Sequence, residues 1–360
     1  MPTQPPQRVA IIGAGIAGAA CARALADAGH AVQVFDKARG PGGRMATRRL
    51  DWVDTQGQAR STRLDHGAVG ISARTDAFQG FVRHALQAGW LVEWNPVLAA
   101  NSLRPEHAGP WYLPVPELTA LCRQLLDGVA TTWSLAVEQL HRGALGWQLQ
   151  AQGERHDASF DAVVLALPPA QAAPLLAPHR PDWARHASVA AMQPCWTLMG
   201  IARATEAPAE NGADAEVPWD LTLPAAGPLV CVVRNDRRPG RERVPGQAHW
   251  VAHARAGWSR RHLEQPAAWA QTQLQAALAD HLGRPVHWLH STAHRWRYAM
   301  PQVQYSVPAE VCWWDTTQGL GACGDFLGGW GVEGAWSSAR SLCMALLAGD
   351  RGRRDWAQQA

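Results

Sequence analysis

Residues 9–36 read VAIIGAGIAGAACARALADAGHAVQVFD, and this stretch decides the fold class. Val9 to Ile12 is a short β-branched run, Gly13-Ala-Gly15-Ile-Ala-Gly18 a turn, and Ala19 to Ala28 a helix stopped by Gly29. Ala31 to Asp36 is a second strand. The order strand, glycine turn, helix, strand, acid is the opening of a dinucleotide-binding βαβ unit. Gly13 permits the tight turn, Gly15 lets backbone approach a pyrophosphate, and Gly18 brings helix and strand together. The helix N-terminus offers N–H groups and a positive dipole end to phosphate. Asp36 accepts from ribose hydroxyls and repels a 2′-phosphate, which disfavours NADP as the ligand of this turn.

Further along, three segments point to FAD rather than NAD: Gly42-Gly43-Arg44, Cys323-Gly324-Asp325, and Val332-Glu333-Gly334-Ala335 ahead of a last helix. A longer ligand running from one end of the domain to the other needs them. Arg44 is expected on the pyrophosphate and Asp325 on a ribityl hydroxyl. The last helix would aim its N-terminus at the flavin edge where negative charge develops on reduction.

The chain has 360 residues, too many for one ordinary core, and its 47% apolar and 18% charged residues are those of a globular protein. A net charge of +3, with arginines in short scattered groups, argues against a dedicated nucleic-acid binder. Seven dispersed cysteines without CxxC spacing suggest neither a disulfide framework nor a zinc site, and no metal is expected. No signal peptide and no run of eighteen apolar residues is seen, so a cytoplasmic protein without a membrane span is expected. After residue 36 the pattern predicts helices at 75–88, 117–126, 267–282 and 333–348. Strands are predicted at 131–140, 147–152, 160–167, 196–202, 229–234 and 249–255. The expected architecture is α/β: a Rossmann-type FAD-binding domain (1–74, 113–170, 306–360) and a discontinuous antiparallel-sheet substrate domain (75–112, 171–305).

The segments Val9 to Arg44, Leu64-Asp-His-Gly-Ala68, Phe160 to Leu167, Arg234-Asn-Asp-Arg-Arg-Pro-Gly-Arg241, Trp258-Ser-Arg-Arg-His-Leu263, His294-Arg-Trp-Arg-Tyr298 and Cys323 to Trp336 follow in order over nearly the whole chain. Together they resemble the bacterial renalase-like flavoproteins, within the amine-oxidase-like FAD superfamily. The resemblance implies a p-hydroxybenzoate-hydroxylase-like two-domain fold and tight, non-covalent FAD. It also implies oxidation of dihydropyridine isomers of NAD(P)H, with hydride passing to flavin N5 and dioxygen returning hydrogen peroxide. By position, Gly13, Gly15, Ala17, Gly18, Asp36, Lys37, Gly43, Arg44, Met45, Ala68, Val69, Val137, Gly324, Asp325, Val332, Glu333, Gly334 and Ala335 would contact FAD. Val69, Gly70, Trp296, Arg297, Tyr298 and Trp330 are the substrate-pocket candidates; no catalytic residue is assigned.

The chain departs from the family at Val69 and Gly70, where a Gln and an aromatic are usual, and at Gly331, often an Arg; a larger, less polar pocket is expected. Lys37 is the only lysine in the sequence. It sits beside the ribose acid, so the lysine that many amine oxidases place near flavin N5 has no candidate. A dihydropyridine needs no N–H or O–H proton removed, and thus no side-chain base. The arginines at 234, 237, 238, 241 and 243 read as a solvated basic loop, or else as an attractor of a substrate pyrophosphate. Two alternatives stay open: an amine or other small-molecule flavin oxidase, and a flavin-free binding module like the GDP-dissociation inhibitors.

Overall fold

A computed structural model describes residues 6–54, 56–106, 109–204, 217–302, 311–329 and 331–357. In chain order these form β1 (Arg8–Ile12), α1 (Ile16–Asp27), β2 (Ala31–Phe35), β3 (Thr47–Val53), β4 (Ala59–Asp65), α2 (Asp76–Gln87), β5 (Leu91–Trp94), β6 (Trp111–Pro114), α3 (Thr119–Leu125), β7 (Ala130–Thr132), β8 (Val137–Gly143), β9 (Gly146–Ala151), β10 (Glu154–Phe160) and β11 (Ala162–Leu165). Then come α4 (Pro169–Leu176), α5 (Pro181–Val189), β12 (Met192–Arg203), β13 (Leu221–Thr222), β14 (Leu229–Arg234), β15 (Gln247–Ala254), α6 (Ala256–Arg261), α7 (Ala267–Leu282), β16 (Trp288–Pro301), β17 (Trp313–Asp315), β18 (Leu320–Ala322), α8 (Asp325–Gly328) and α9 (Gly331–Ala357). Among the described residues no helix is long and apolar enough to cross a membrane.

The first layer is the sheet β17-β18-β11-β1-β2-β7, parallel except for β17. Its central strands β11 and, beyond Arg8, β1 are apolar because both faces are covered. Val9 and Ile11 face Ala22, Leu25, Leu342 and Cys343 of α1 and α9, while Ala10 and Ile12 face Trp147, Leu149 and Leu175 on the other side. The helix α2 joins the first of these clusters through Phe78, whose ring lies 5.2 Å from that of Trp336.

Two sequence expectations need correction here. The run 160–167 is not one strand: Phe160 ends β10 and pairs with Trp147 in a three-stranded antiparallel sheet, and β11 begins at Ala162. The expected strand 131–140 also divides, β7 joining the parallel sheet and β8 the antiparallel one. In each case one expected strand spans a change of partner.

The second layer is the antiparallel sheet β13-β14-β15-β12-β16. On one face Leu198, Val232, Trp250 and Ala252 meet Leu274 and Leu278 of α7. Each of those leucines, fully buried, contributes about 1.5–3 kcal/mol. The other face carries two hairpins. Leu50, Trp52 and Leu64 of β3–β4 cover Met199, Ile201 and Val251, and Trp94 and Leu113 of β5–β6 cover Cys231 and Val233. Between the hairpins the same face presents Cys195, Thr197 and His253 with His294 and Trp296 of β16, which are cross-strand partners in the ladders.

Candidate functional site

At the turn after β1 the three glycines differ. A Cβ on Gly13, whose φ is +109°, would meet Ala166 O at 2.4 Å, and one on Gly18 would meet Gly13 O at 1.8 Å. At Gly15 a Cβ would find nothing within 4 Å. The first two glycines are thus demanded by the protein's own packing, whereas the third faces open space at the start of α1. That helix has no side-chain cap and no acid in its first turn, so its positive end is not neutralised from within. Asp36 accepts from Ala14 N and Ala38 N at 2.7 Å each, which fixes the turn and leaves a lone pair on each oxygen. This arrangement fits a pyrophosphate flanked by a ribose.

The remaining cofactor candidates extend the line. Leu135 N donates to Asp36 O, which sets the start of β8, Val137, beside the acid; Lys37 next to it is exposed. Gly43 lies against Gly15, its Cβ position 3.2 Å from Gly15 Cα. Met45 and Ala17 are buried, and Ala68 N donates to Arg44 O. Arg44 forms a two-pronged pair with Asp325, at 2.5 and 2.7 Å, and donates to Ala299 O of β16 at 3.2 Å. Two groups expected to act separately on a ligand therefore meet each other, at the junction of both layers. Gly324 N donates to Ser338 Oγ, and Gly334 packs against the carbonyls of Gly328 and Gly329, which holds α8 against the start of α9. Val332 and Ala335 pack into the α1–α9 cluster. Glu333 turns elsewhere: its carboxylate accepts from Arg74 N, Thr75 N and Thr75 Oγ1, capping α2.

The expectation of a solvated basic loop after β14 holds for Arg243, which is exposed, but not for Arg234, Arg238 and Arg241. Arg234, Arg238 and Arg241 are buried or nearly so. Arg234 pairs with Asp236, while Arg238 and Arg241 converge on Asp65, whose other oxygen accepts from Thr47 Oγ1 and Leu118 N. Arg238 also donates to Val69 O, and Arg241 to Pro114 O. These bonds fasten the sheet layer to the segment 64–70. Burial pushes the Asp65 carboxyl up, but the two guanidinium charges outweigh it and hold it below the usual range. Burial lowers Arg238 to about 10 despite Asp65.

Around this anchor lies a packed cluster of aromatic and imidazole rings. His66 is stacked on Trp296 at 4.9 Å and edge-on to His294 at 4.9 Å, and Trp296 Nε1 donates to His66 O. His253 Nδ1 lies 3.1 Å from Thr197 Oγ1. Burial drives all three histidines down, helped by His294 and Arg48 for His66, by Arg238 for His253 and by Arg48 for His294; His66 falls to about 3 and the other two to about 4. They are neutral at pH 7.

Of the pocket candidates, Trp296 packs within this cluster and Tyr298 is half-buried beyond it on the same strand. Arg297 does not: it is exposed and bound by both nitrogens to Glu264 at 2.7 and 2.8 Å. Trp330 lies outside the described residues. Val69 packs with Trp94, Leu113 and Trp111, and a Cβ on Gly70 would meet Trp111 Cε3 at 2.3 Å. The missing aromatic at position 70 leaves no hole, because the Trp111 indole fills it. Asp65, His253 and Trp111 were not singled out from sequence as site residues, and Arg238 was read there only as part of the basic loop; its partner Asp65 stands 173 positions away.

Residues 11–90 match the family described as NAD(P)-binding Rossmann-like domain. The match takes in α1 and β2 with Gly13, Gly15 and Asp36. Beyond it, a 216-residue stretch is 28% identical to the tRNA 5-methylaminomethyl-2-thiouridine biosynthesis bifunctional protein MnmC of Magnetococcus marinus, covering 48% of this chain and 32% of that protein. A 59-residue stretch is 46% identical to the L-amino-acid oxidase of Crotalus adamanteus, covering 16% of this chain and 11% of the oxidase. The chain thus matches a third or less of the length of these curated relatives. Over 97% of its length it superposes on all of the cyclohexylamine oxidase from Brevibacterium oxydans IH-35A, with a TM-score of 0.64 at 12% identity. The Rossmann layer and the antiparallel layer are therefore arranged as in that protein; identity at this level speaks for the fold alone.

Proposed function

We propose that this chain is an FAD-dependent oxidoreductase that takes a hydride from a small flat substrate, in the first place a dihydropyridine isomer of NAD(P)H, with dioxygen as final acceptor and hydrogen peroxide as product. FAD, bound without a covalent link, supplies a two-electron acceptor at its isoalloxazine ring. Asp36 would hold the adenosine ribose, and the open face of Gly15 with the start of α1 the pyrophosphate. Arg44, kept in place by Asp325, would add its positive charge there. The ring would lie toward Ala68 and Val69, below the antiparallel sheet.

The observation that carries the substrate class is the chemistry of this ring cluster. Its histidines are neutral, the carboxylates of the adjoining segments, Asp65 and Asp325, are bound to guanidinium groups, and Lys37 is exposed beside Asp36. Among the described residues of this cluster an ammonium substrate would meet no unpaired carboxylate. A dihydropyridine requires none; the residues need only hold its ring within about 3–3.5 Å of the acceptor atom. His66, His294 and Trp296 would offer flat ring surface for that.

The test is aerobic turnover of purified, flavin-loaded protein with dihydropyridine isomers, β-NADH and primary amines, with peroxide measured. Peroxide from the isomers at rates well above the other two supports the reading. Amine turnover would favour the amine-oxidase alternative, and a colourless, flavin-free protein the binding-module one.

A further inference from the structure

Two thiols that the flavin reading leaves unused meet inside the first layer. Cys21 lies midway along α1 and Cys343 midway along α9, and the two are 0% and 3% exposed. Cys343 Sγ stands 3.4 Å from Cys21 Sγ and 3.7 Å from the Cys21 carbonyl oxygen. The sulfurs are in contact.

Their setting keeps them so. The two helices pack along one another in a cluster that includes Ala17, Ala22, Ala335 and Ala339, whose small side chains let the backbones come close. The contact with Cys343, together with burial, holds the Cys21 thiol well above its usual range, so it is protonated at pH 7. In a disulfide the sulfurs are about 2.05 Å apart, which leaves about 1.4 Å of approach for the side chains to make.

We propose that Cys21 and Cys343 are a peroxide-sensitive pair that closes to a reversible disulfide and fastens α1 to α9. Hydrogen peroxide is the oxidant. The Cys343 sulfur, the less deeply buried of the two, attacks one peroxide oxygen: an S–O bond forms, the O–O bond breaks, and water leaves with the thiol proton. The Cys21 sulfur then attacks the Cys343 sulfur: the S–S bond forms, the S–O bond breaks, and a second water carries off the other thiol proton. Two thiols lose two electrons in all, and peroxide is reduced to two waters. Because both sulfurs are shielded, the first step waits on a local opening of the helix pair. The link joins the helices whose first turns carry Gly15 and Val332 to Ala335, which flank the expected flavin site. Peroxide is the product under the proposed function, but the test supplies it directly and stands apart from that reading.

The test is a thiol map of the purified protein before and after treatment with hydrogen peroxide. Free thiols are alkylated in denaturant, and peptides are identified by mass spectrometry without reductant. The expected main disulfide is a Cys21–Cys343 linked peptide, lost again on treatment with dithiothreitol. Because the link closes a loop across 322 positions, the thermal midpoint should rise by about 5 °C on peroxide treatment, and Cys343→Ala should show no such rise. Two free thiols after peroxide, sulfinic acid at either without a link, or a main link from either to another cysteine would overturn the pair. A linked protein whose midpoint does not rise would overturn the fastening of α1 to α9. If Cys343→Ala does not fold, the wild-type map and midpoint decide. A link formed by added peroxide in a protein that produces none would sink the oxidase reading alone. Peroxide production with both thiols left free would sink the pair alone.

Discussion

Replacing Asp65 by Asn removes the only carboxylate shared by Arg238 and Arg241 while keeping the side chain's shape. Three nitrogens of those arginines reach one Asp65 oxygen, at 3.2, 2.8 and 2.5 Å, and all three side chains are 4% exposed or less. In Asp65→Asn one amide edge can still accept from Thr47 Oγ1 and Leu118 N, but the other presents an NH₂ group to two guanidiniums. Removing one partner from a buried ion cluster costs about 3–5 kcal/mol, because the remaining charges stay desolvated. That is a large part of the roughly 5–15 kcal/mol that holds a typical protein together. The Arg297–Glu264 pair is an internal control: it has two short bonds as well, but it is exposed, and such pairs are worth about 0–1 kcal/mol. Equilibrium urea denaturation of Asp65→Asn and Glu264→Gln beside the wild type measures both. The midpoint should drop steeply for the first and barely for the second. A loss below about 1 kcal/mol in Asp65→Asn would refute the claim that this cluster ties the two layers together.

Three further outcomes follow from the geometry. Gly18→Ala should destabilise the protein by about 3 kcal/mol or more through its clash with Gly13 O, whereas Gly15→Ala should leave denaturation within about 0.5 kcal/mol of wild type yet retain at least tenfold less flavin. Equal flavin retention in the Gly15 variant would mean that no phosphate occupies the space it faces. Gly70→Ala should cost about 1–3 kcal/mol by displacing Trp111, and Trp111→Ala should relieve part of that cost in the double variant; additive losses would disprove the contact. His66 and His253 bind fewer protons folded than unfolded, so stability is full above about pH 6.5 and is lost as pH falls toward 4 and 3. At pH 5 each accounts for about 2 kcal/mol, and because His294 is shifted the same way, His253→Gln should flatten the pH slope of the denaturation midpoint by about a third. A midpoint flat from pH 7 to 5 would show that the folded rings take up protons as readily as the unfolded ones.

The first 36 residues were legible because their requirements are local: a turn, a helix start and an acid at a fixed spacing. The strands of the second layer were legible where they are apolar, as at Leu229–Arg234. The 14-residue β16 carries no such signal, since its alternation of His, Arg and Trp matches an edge strand whose faces are each half-covered. The β3–β4 hairpin reads Thr-Arg-Arg-Leu-Asp-Trp-Val, with two apolar side chains on one face, and its partner surface is 150 residues away in sequence. The arginine loop failed for a related reason. Its charges predict exposure unless a counter-ion is known, and Asp65 is reached only through the fold. Gly70 shows the converse: a local departure that suggested a larger pocket is compensated by Trp111, which no local pattern ties to it.

The account rests on a bound flavin reduced by a flat, uncharged ring, and anaerobic mixing reads this directly. Flavin-loaded protein is mixed, without oxygen, with dihydropyridine isomers of NADH, with ordinary β-NADH and with a primary amine, while the flavin absorbance is followed. The account predicts complete bleaching by the isomers, at a rate at least tenfold above that with either other donor. Bleaching by the amine, with the isomers inert, would contradict it.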